Sequence, residues 1–365
     1  MLKSGRSRTA FRRRLMAWFL ENRRDLPWRE DRDPYRIWVS EVMLQQTTVA
    51  AATPYFRRFI TAFPTVQALA AADEQHVLKL WEGLGYYRRA RHLHAAAKRL
   101  AESATIPDDP DFWSELPGVG RYILGAVLSQ AFDRKLPIVE ANTLRVLARL
   151  FGHPGDPREG EGKAWVWSAA ESLLPNAGVG DFNQAMMELG ALVCSPRSPR
   201  CAECPAARFC VANRDGTQDR IPPPKRMKET IAVREVAVVI RDRGRVLLCR
   251  RPADATRWQN LWEVPHAELA ESEDAADGAV RIAVELAGLR VRVTDELPEV
   301  RHTVTRHDIR MAAFEAIRES GRFRSRFYTE GAWLEPALLS DYPTSTPQRA
   351  LIRSILNPNR PRNLF

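Results

Sequence analysis

Cys194, Cys201, Cys204 and Cys210 stand in the pattern C-x6-C-x2-C-x5-C, and four thiolates so close in sequence can surround one metal centre with little chain entropy to overcome. Crowding four of five cysteines into residues 194–210 points to metal and not to a disulfide framework. Structural zinc usually draws on two separate close pairs, and here only Cys201 and Cys204 form one. The spacing therefore favours a [4Fe-4S] cluster, with zinc as the second reading and four unconnected thiols as the third. Two acids also stand out. Glu41 has Ile37, Trp38 and Leu44 at i−4, i−3 and i+3, so on a helix its carboxyl shares a face with large apolar groups. Burial there lifts a carboxylic acid above its ordinary range and keeps a proton for transfer near neutral pH. Periodicity alone favours the blander reading, an exposed glutamate at the edge of an apolar stripe. Glu140, in "IVEANTLRVLARL", stands where an apolar run meets an amphipathic helix. Asn142 and Thr143 could cap that helix, and the positive end of its dipole favours a carboxylate there whether or not the carboxylate does chemistry.

A third feature grips rather than reacts. "ELPGVGRYILGAVLSQAF" sets Gly118, Val119 and Gly120 immediately before a helix, where glycines let the backbone turn tightly and present N–H groups beside a helix N-terminus. Alone this is a glycine-containing turn between helices. In a basic helical domain it reads as a helix-hairpin-helix over 112–130 that holds DNA phosphates without reading sequence.

The elements that must position these groups fall into two textures. From Phe11 to about Phe209, runs such as "YRIWVSEVMLQQ", "EQHVLKLWEGLGYYRRARHLHAAAKRLAE" and "DFNQAMMELGALVC" repeat apolar residues at three- and four-residue spacing, predicting helices. "DGTQDRIPPPKRMKET" then reads as an extended linker. Beyond it "REVAVVI", "RDRGR" and "VLLCRR" predict strand, turn and strand, "EDAADGAVRIAVELAGL" a helix ended by glycine, and "VRVTDELPEVRHTVTRHDIRMAAFEAI" further short β-rich runs. At 365 residues the chain suits two domains at roughly 150 residues each. We expect a multidomain α plus α/β protein: a helical domain over 1–220 with the cysteine loop at 194–210, a linker at 221–230, and an α/β domain over 231–365. The formal charge of +10 favours a polyanionic partner, nucleic acid first. No apolar run reaches the roughly 18 residues of a membrane span and the basic N-terminus lacks a signal-peptide core, so a cytoplasmic, DNA-associated protein with no membrane is expected.

The hairpin, the cysteine spacing and "LPWREDRDPYRIWVSEVMLQQTTVAAATPYFRRF" together resemble the endonuclease III superfamily of base-excision DNA glycosylases, and within it the MutY adenine glycosylases. The likeness implies an HhH-GPD domain with an iron–sulfur loop, acting as a monomer on double-stranded DNA that carries adenine opposite 8-oxoguanine or guanine. Glu41 occupies the place of the family's adenine-protonating glutamate. Arg24, Trp28, Arg29, Leu44 and Gln184 match adenine-pocket positions, and Gln45, Gln46 and Tyr86 match those that wedge into the base stack. Relatives that also cut the strand carry a lysine nucleophile after the hairpin, whereas this chain has Tyr122, which implies a monofunctional enzyme leaving an abasic site. Family members usually read Asp-Gly-Asn where this chain reads Glu140-Ala141-Asn142, so Glu140 takes the place of the carboxylate that stabilises the sugar cation, with Asn142 and Tyr122 in support.

"VAVVIRDRGRVLLCRRP", "LWEVPHAEL" and the following helix resemble a Nudix-type module for reading the base opposite adenine. In "RIAVELAGL" Ile282 and Leu286 stand where two Mg²⁺-binding acids belong and only Glu285 remains, so pyrophosphohydrolase activity is not expected. The family's Phe-Ser-His reading signature aligns with Val304-Thr305-Arg306, leaving Thr305 and Arg306 as the polar readers. The alternatives are a pyrimidine-lesion glycosylase/lyase and a non-catalytic iron–sulfur DNA-binding protein.

Overall fold

The computed structural model describes Leu2, residues 4–225 and residues 229–356. Residues 226–228 of the expected linker, and 357–365 of the expected second domain, lie outside the described residues. The chain divides into two units, Met1–Ala71 with Ala95–Arg226, and Ala72–His94 with Met227–Phe365. The division is not a single cut near residue 220, because a short helical stretch groups with the β-rich half of the chain.

The first unit opens with α1 (Gly5–Asn22), α2 (Pro34–Leu44), α3 (Val49–Ala62) and α4 (Val66–Ala71). The helical stretch of the second unit holds α5 (Glu74–Trp81) and the start of α6 (Arg88–Leu100). The first unit resumes with α7 (Pro110–Ser114), α8 (Arg121–Phe132), α9 (Ala141–Phe151), α10 (Gly160–Ser172), α11 (Val179–Leu192) and α12 (Val211–Arg214). Helix α1 buries Phe11, Leu15 and Phe19, four residues apart, against Val146 and Leu150 of α9 and Phe182, Met186 and Leu189 of α11. Helix α2 starts cleanly, with Asp33 accepting from the Tyr35 N–H at 2.8 Å and Pro34 in its first turn, where a missing N–H costs nothing. Its interior is buried from Ile37 to Met43, Glu41 included, because α3 and α8 both pack on it. A short turn joins α7 to α8. Gly118 sits there at φ +78°, a conformation that favours glycine, and Gly120 caps α8.

The second unit is a seven-stranded sheet of β1 (Ile231–Asp242), β2 (Arg245–Arg250), β3 (Trp262–Glu263), β4 (His266–Glu268), β5 (Leu289–Val304), β6 (His307–Gly321) and β7 (Glu330–Leu334), with α13 (Ala275–Ala287) and α14 (Thr346–Leu356). The main path runs β3-β2-β1-β6-β5, with β1 parallel to β6 and antiparallel to β2. Alternation along β1 sends Val236, Val238 and Ile240 to the α13 side, against Ala279 and Ile282, and Ala237 and Val239 to the α14 side, against Leu351 and Ile352. Ile282, at a Nudix acid position, is therefore a core residue, while Glu285 pairs with Arg281 at 2.9 Å. Cys249 is likewise fully buried in the α13-side core. The run 291–317, expected as short strands, instead belongs to two long ones joined by a two-residue turn at Thr305 and Arg306.

Candidate active site and cysteine loop

In the first unit a cavity of about 740 Å³ opens between α2, α8, α9 and α11, and Arg24, Trp28, Arg29, Glu41, Leu44, Gln45, Gln46, Tyr122, Glu140, Asn142 and Gln184 all line it. Every residue expected at the catalytic centre and adenine pocket, and two of the three expected wedges, thus share one space. The third wedge, Tyr86, and the hairpin residues Thr305 and Arg306 belong to the second unit. Tyr86 is 58% exposed at φ +47°. Thr305 is exposed at φ +56°, and its hydroxyl donates to the Val304 carbonyl at 2.7 Å.

Glu41 is only 3% exposed, so the edge-of-stripe reading fails for a physical reason: α8 covers the face that periodicity left open. The Tyr122 hydroxyl donates to its Oε2 and the Gln130 side-chain amide donates to Oε1 at 2.9 Å. Burial pushes the Glu41 carboxyl up, and the bonds from Tyr122 and Gln130 together with the Arg29 charge restrain that rise. Burial also lifts the Tyr122 hydroxyl well above its ordinary range, with the Glu41 charge adding to the effect, so it stays a donor to Glu41.

Glu140 is itself the N-cap of α9, a role expected of Asn142 or Thr143. Its Oε1 accepts from the Thr143 N–H at 2.9 Å and its Oε2 from the Asn142 N–H at 2.8 Å, while the Glu140 N–H donates to Thr143 Oγ1 at 2.8 Å. Each oxygen keeps a lone pair free for the cavity. Burial raises the Glu140 pKa, backbone bonds and Arg145 lower it, and Glu41 raises it again. Ala141 is the first helical residue and needs no glycine conformation.

Three supporting residues escaped sequence reasoning: Gln130, Glu188 and Arg145. Glu188 is fully buried on α11 and accepts from the Arg24 N–H at 2.9 Å, Arg24 Nε at 2.7 Å and an Arg29 guanidinium nitrogen at 3.0 Å. Burial alone would push this carboxyl up, but the two arginines outweigh it and hold it at about 2. Glu188 therefore stabilises the fold above pH ~4.5, and the contribution is lost as pH falls toward about 2. Removing it in Glu188→Ala leaves two cations facing each other. Because Arg24 is one-third exposed, the expected loss is about 2 to 3 kcal/mol, at or below the low end for a buried pair, read as a lower midpoint in urea unfolding at pH 7. The same variant should show a flatter stability profile between pH 5 and 2.

Arg145, on α9, donates from Nε to the Cys194 carbonyl at 2.7 Å, and from one terminal nitrogen to Asn142 Oδ1 and to the Gly190 carbonyl, each at 2.9 Å. One turn on, Arg149 donates to the Ser195 carbonyl at 2.7 Å and to Cys194 Sγ at 3.3 Å. One helix thus carries Glu140 at its start and holds the cysteine loop along its length. Cys194, Cys201, Cys204 and Cys210 line one small cavity with Arg149. Among the described residues no three His, Cys, Asp or Glu side chains converge on a position for a single metal ion.

A family profile described as HhH-GPD superfamily base excision DNA repair protein matches residues 39–170, and one described as NUDIX domain matches 235–354. The adenine DNA glycosylase of Buchnera aphidicola from Schizaphis graminum is 35% identical over 259 residues, covering 70% of this chain and 74% of that protein. The chain belongs to the adenine DNA glycosylase family. The adenine DNA glycosylase of Rattus norvegicus is 43% identical over 224 residues, covering 58% of this chain, but those residues are only 43% of that longer relative. Among solved structures, a thermostable thymine-DNA glycosylase aligns with TM-score 0.52 and 28% identity over 57% of this chain and 98% of its own. Endonuclease III in a non-covalent DNA complex aligns with TM-score 0.50 and 21% identity over 60% of this chain and 100% of its own, a likeness of fold. In this adenine glycosylase family member the HhH-GPD match ends at residue 170, short of α11 and the cysteine loop.

Proposed function

We propose that the protein is a monofunctional adenine DNA glycosylase that removes adenine opposite 8-oxoguanine, and opposite guanine, from double-stranded DNA. The observation that carries this reading is the pair of carboxyl groups, Glu41 and Glu140, lining one cavity. Cleaving an N-glycosidic bond to adenine requires a proton on the leaving base and a negative charge beside the sugar cation that remains. Glu41, raised by burial and oriented by Tyr122 and Gln130, donates the proton. Glu140, whose carboxylate form is favoured by the Asn142 and Thr143 amides and by Arg145 against the effect of burial, faces the cation. Glu41, now a carboxylate, takes a proton from the attacking water, whose hydroxyl bonds to the sugar carbon and closes the cycle. Trp28, Leu44, Gln184 and the Arg24 and Arg29 pair shape the pocket for the flipped base, Asn142 supports the helix start beside the sugar, and Gln45 and Gln46 help fill the stack it leaves. Tyr122 supplies no amine for a Schiff base, which supports the monofunctional assignment.

Val119 donates its N–H to the Leu116 carbonyl at 3.1 Å, so the phosphate contact of the hairpin Gly118-Val119-Gly120 is assigned to the two glycine amides. Thr305 and Arg306, at an exposed turn, are assigned to reading the opposite base. The four cysteines, which line one small cavity with Arg149, would hold a [4Fe-4S] cluster. When bound, the cluster supplies a closed structural tie for the loop beside α9 and not a substrate position. No described helix is long and apolar enough to cross a membrane. Action as a DNA-associated monomer in the cytoplasm completes the proposal.

One assay tests it. Duplexes with adenine opposite 8-oxoguanine, guanine or cytosine, and duplexes with an oxidised pyrimidine, are incubated with protein and analysed with and without hot alkali. Alkali-dependent breaks at adenine alone are expected. Breaks without alkali would indicate a glycosylase/lyase, and no breaks a binding protein.

A further inference from the structure

Tyr86 is held in a way that its neighbours explain only in part. It follows Gly83 and Gly85, both at positive φ, and itself takes φ +47°, a costly conformation for a tyrosine that lies 58% exposed. Local groups fix the turn from below. Trp81 Nε1 donates to the Gly85 carbonyl at 3.1 Å, and Arg89 donates to the Leu84 and Gly85 carbonyls at 3.0 and 3.2 Å.

The remaining restraint comes from more than 250 positions away in the same unit. Thr344, 1% exposed, donates both its N–H, at 3.0 Å, and its hydroxyl, at 2.8 Å, to Oε1 of Glu82, the residue that ends α5 and opens the turn. The Tyr87 hydroxyl donates back to the Thr344 carbonyl at 2.7 Å. Glu82 Oε2 is held by Lys79 at 2.7 Å, so the carboxylate cannot swing to another partner without losing an ion pair. Thr344 thus clasps the turn on both sides, through residue 82 before it and residue 87 after it.

We infer that Thr344 is a positioning residue for Tyr86: by fixing the 82–87 turn it sets the wedge against the base stack, so the preference for 8-oxoguanine over guanine depends on a buried threonine that touches no DNA. The inference rests on the proposed glycosylase function. It also explains why the 72–94 stretch groups with the C-terminal sheet: Tyr86 is carried on the same unit as Thr305 and Arg306.

The test uses the full-length protein. Thr344→Val removes the hydroxyl donor at nearly constant shape, and Thr344→Ser restores it. Thr344→Val is expected to lower the ratio of single-turnover excision rates for adenine opposite 8-oxoguanine over adenine opposite guanine by about 5-fold, leaving the rate opposite guanine unchanged, and Thr344→Ser to return the ratio to wild type. In a Tyr86→Ala background, which itself lowers the ratio, Thr344→Val should add nothing. Amide hydrogen exchange over residues 83–89 should quicken in Thr344→Val and not in Thr344→Ser, a readout independent of catalysis. Unchanged exchange, an unchanged ratio, or a full additional loss in the Tyr86→Ala background each overturns the positioning role. If wild type releases no adenine at all, the proposed function falls and this inference with it.

Discussion

Glu41→Gln should slow single-turnover adenine release by about 10² to 10⁴-fold while the affinity for a mispaired duplex stays close to wild type. Glutamine keeps the shape: its oxygen can still accept from Gln130 and its amide can donate to the Tyr122 hydroxyl in a reversed bond, but it is not an acid and has no proton to give to the base. Burial has raised the Glu41 carboxyl, so the wild-type rate should fall as pH rises through that elevated pKa and the acid loses its proton. Glu140 sets the opposite limb, because it must be ionised: its own raised pKa makes the rate fall as pH drops. Stability provides an independent sign. A carboxyl whose pKa is higher folded than unfolded favours the fold most at low pH, and the contribution is lost as pH rises through the folded value. Glu41→Gln removes that loss, so the variant should melt at or above the wild-type temperature at pH 8. A variant that loses activity and stability together would mean that Glu41 is a core residue and not a proton donor.

Sequence reasoning read the residues whose chemistry is local and missed those whose meaning is set by distant chain. The patterns of the cysteine loop and of the turn before α8 are legible because the spacing is itself the constraint, and β1 is legible as a strand because one covered on both faces shows a continuous apolar run. Glu41 was legible as to helix face but not as to burial: its cover comes from α8, and its partner Gln130 lies 89 residues on. Glu188 and Arg145 are ordinary helix surface types by composition, and only the packing of α11 and α9 turns them inward. Periodicity predicted α5 and α6 as one helical run. It could not say that the break between them, at Gly83 to Tyr86, belongs with a sheet that begins at Ile231. Strand β5 runs through Pro298 because a register shift between Leu297 and Val300 absorbs the proline without ending the strand.

Glu140→Gln should cost about 10² to 10³-fold in single-turnover release, with a stability loss of only about 1 kcal/mol that can be measured separately. The carboxylate has two tasks. As a cap it satisfies two orphan N–H groups, and a glutamine, with one oxygen, can satisfy only one and turns its amide donors toward the other. As a charge it opposes the sugar cation, and glutamine removes that entirely. Glu140→Asp separates the two, because aspartate is a good N-cap and keeps the charge, but draws the oxygens back by roughly 1 Å. Whether the backbone can follow depends on how firmly the start of α9 is held. A Cβ placed on Gly190 would lie 2.6 Å from the Asn142 Cβ, so α11 abuts the first turn of α9 with no slack on that side. Arg145 pins the same turn through Asn142 Oδ1 while it holds the cysteine loop through the Cys194 carbonyl. The helix start therefore cannot advance to meet a shorter side chain, and Glu140→Asp should retain wild-type stability yet lose at least about 10-fold in rate. Full activity in Glu140→Gln, alongside an inactive Glu41→Gln, would reduce Glu140 to a cap and leave the sugar cation to be stabilised by something other than this carboxylate.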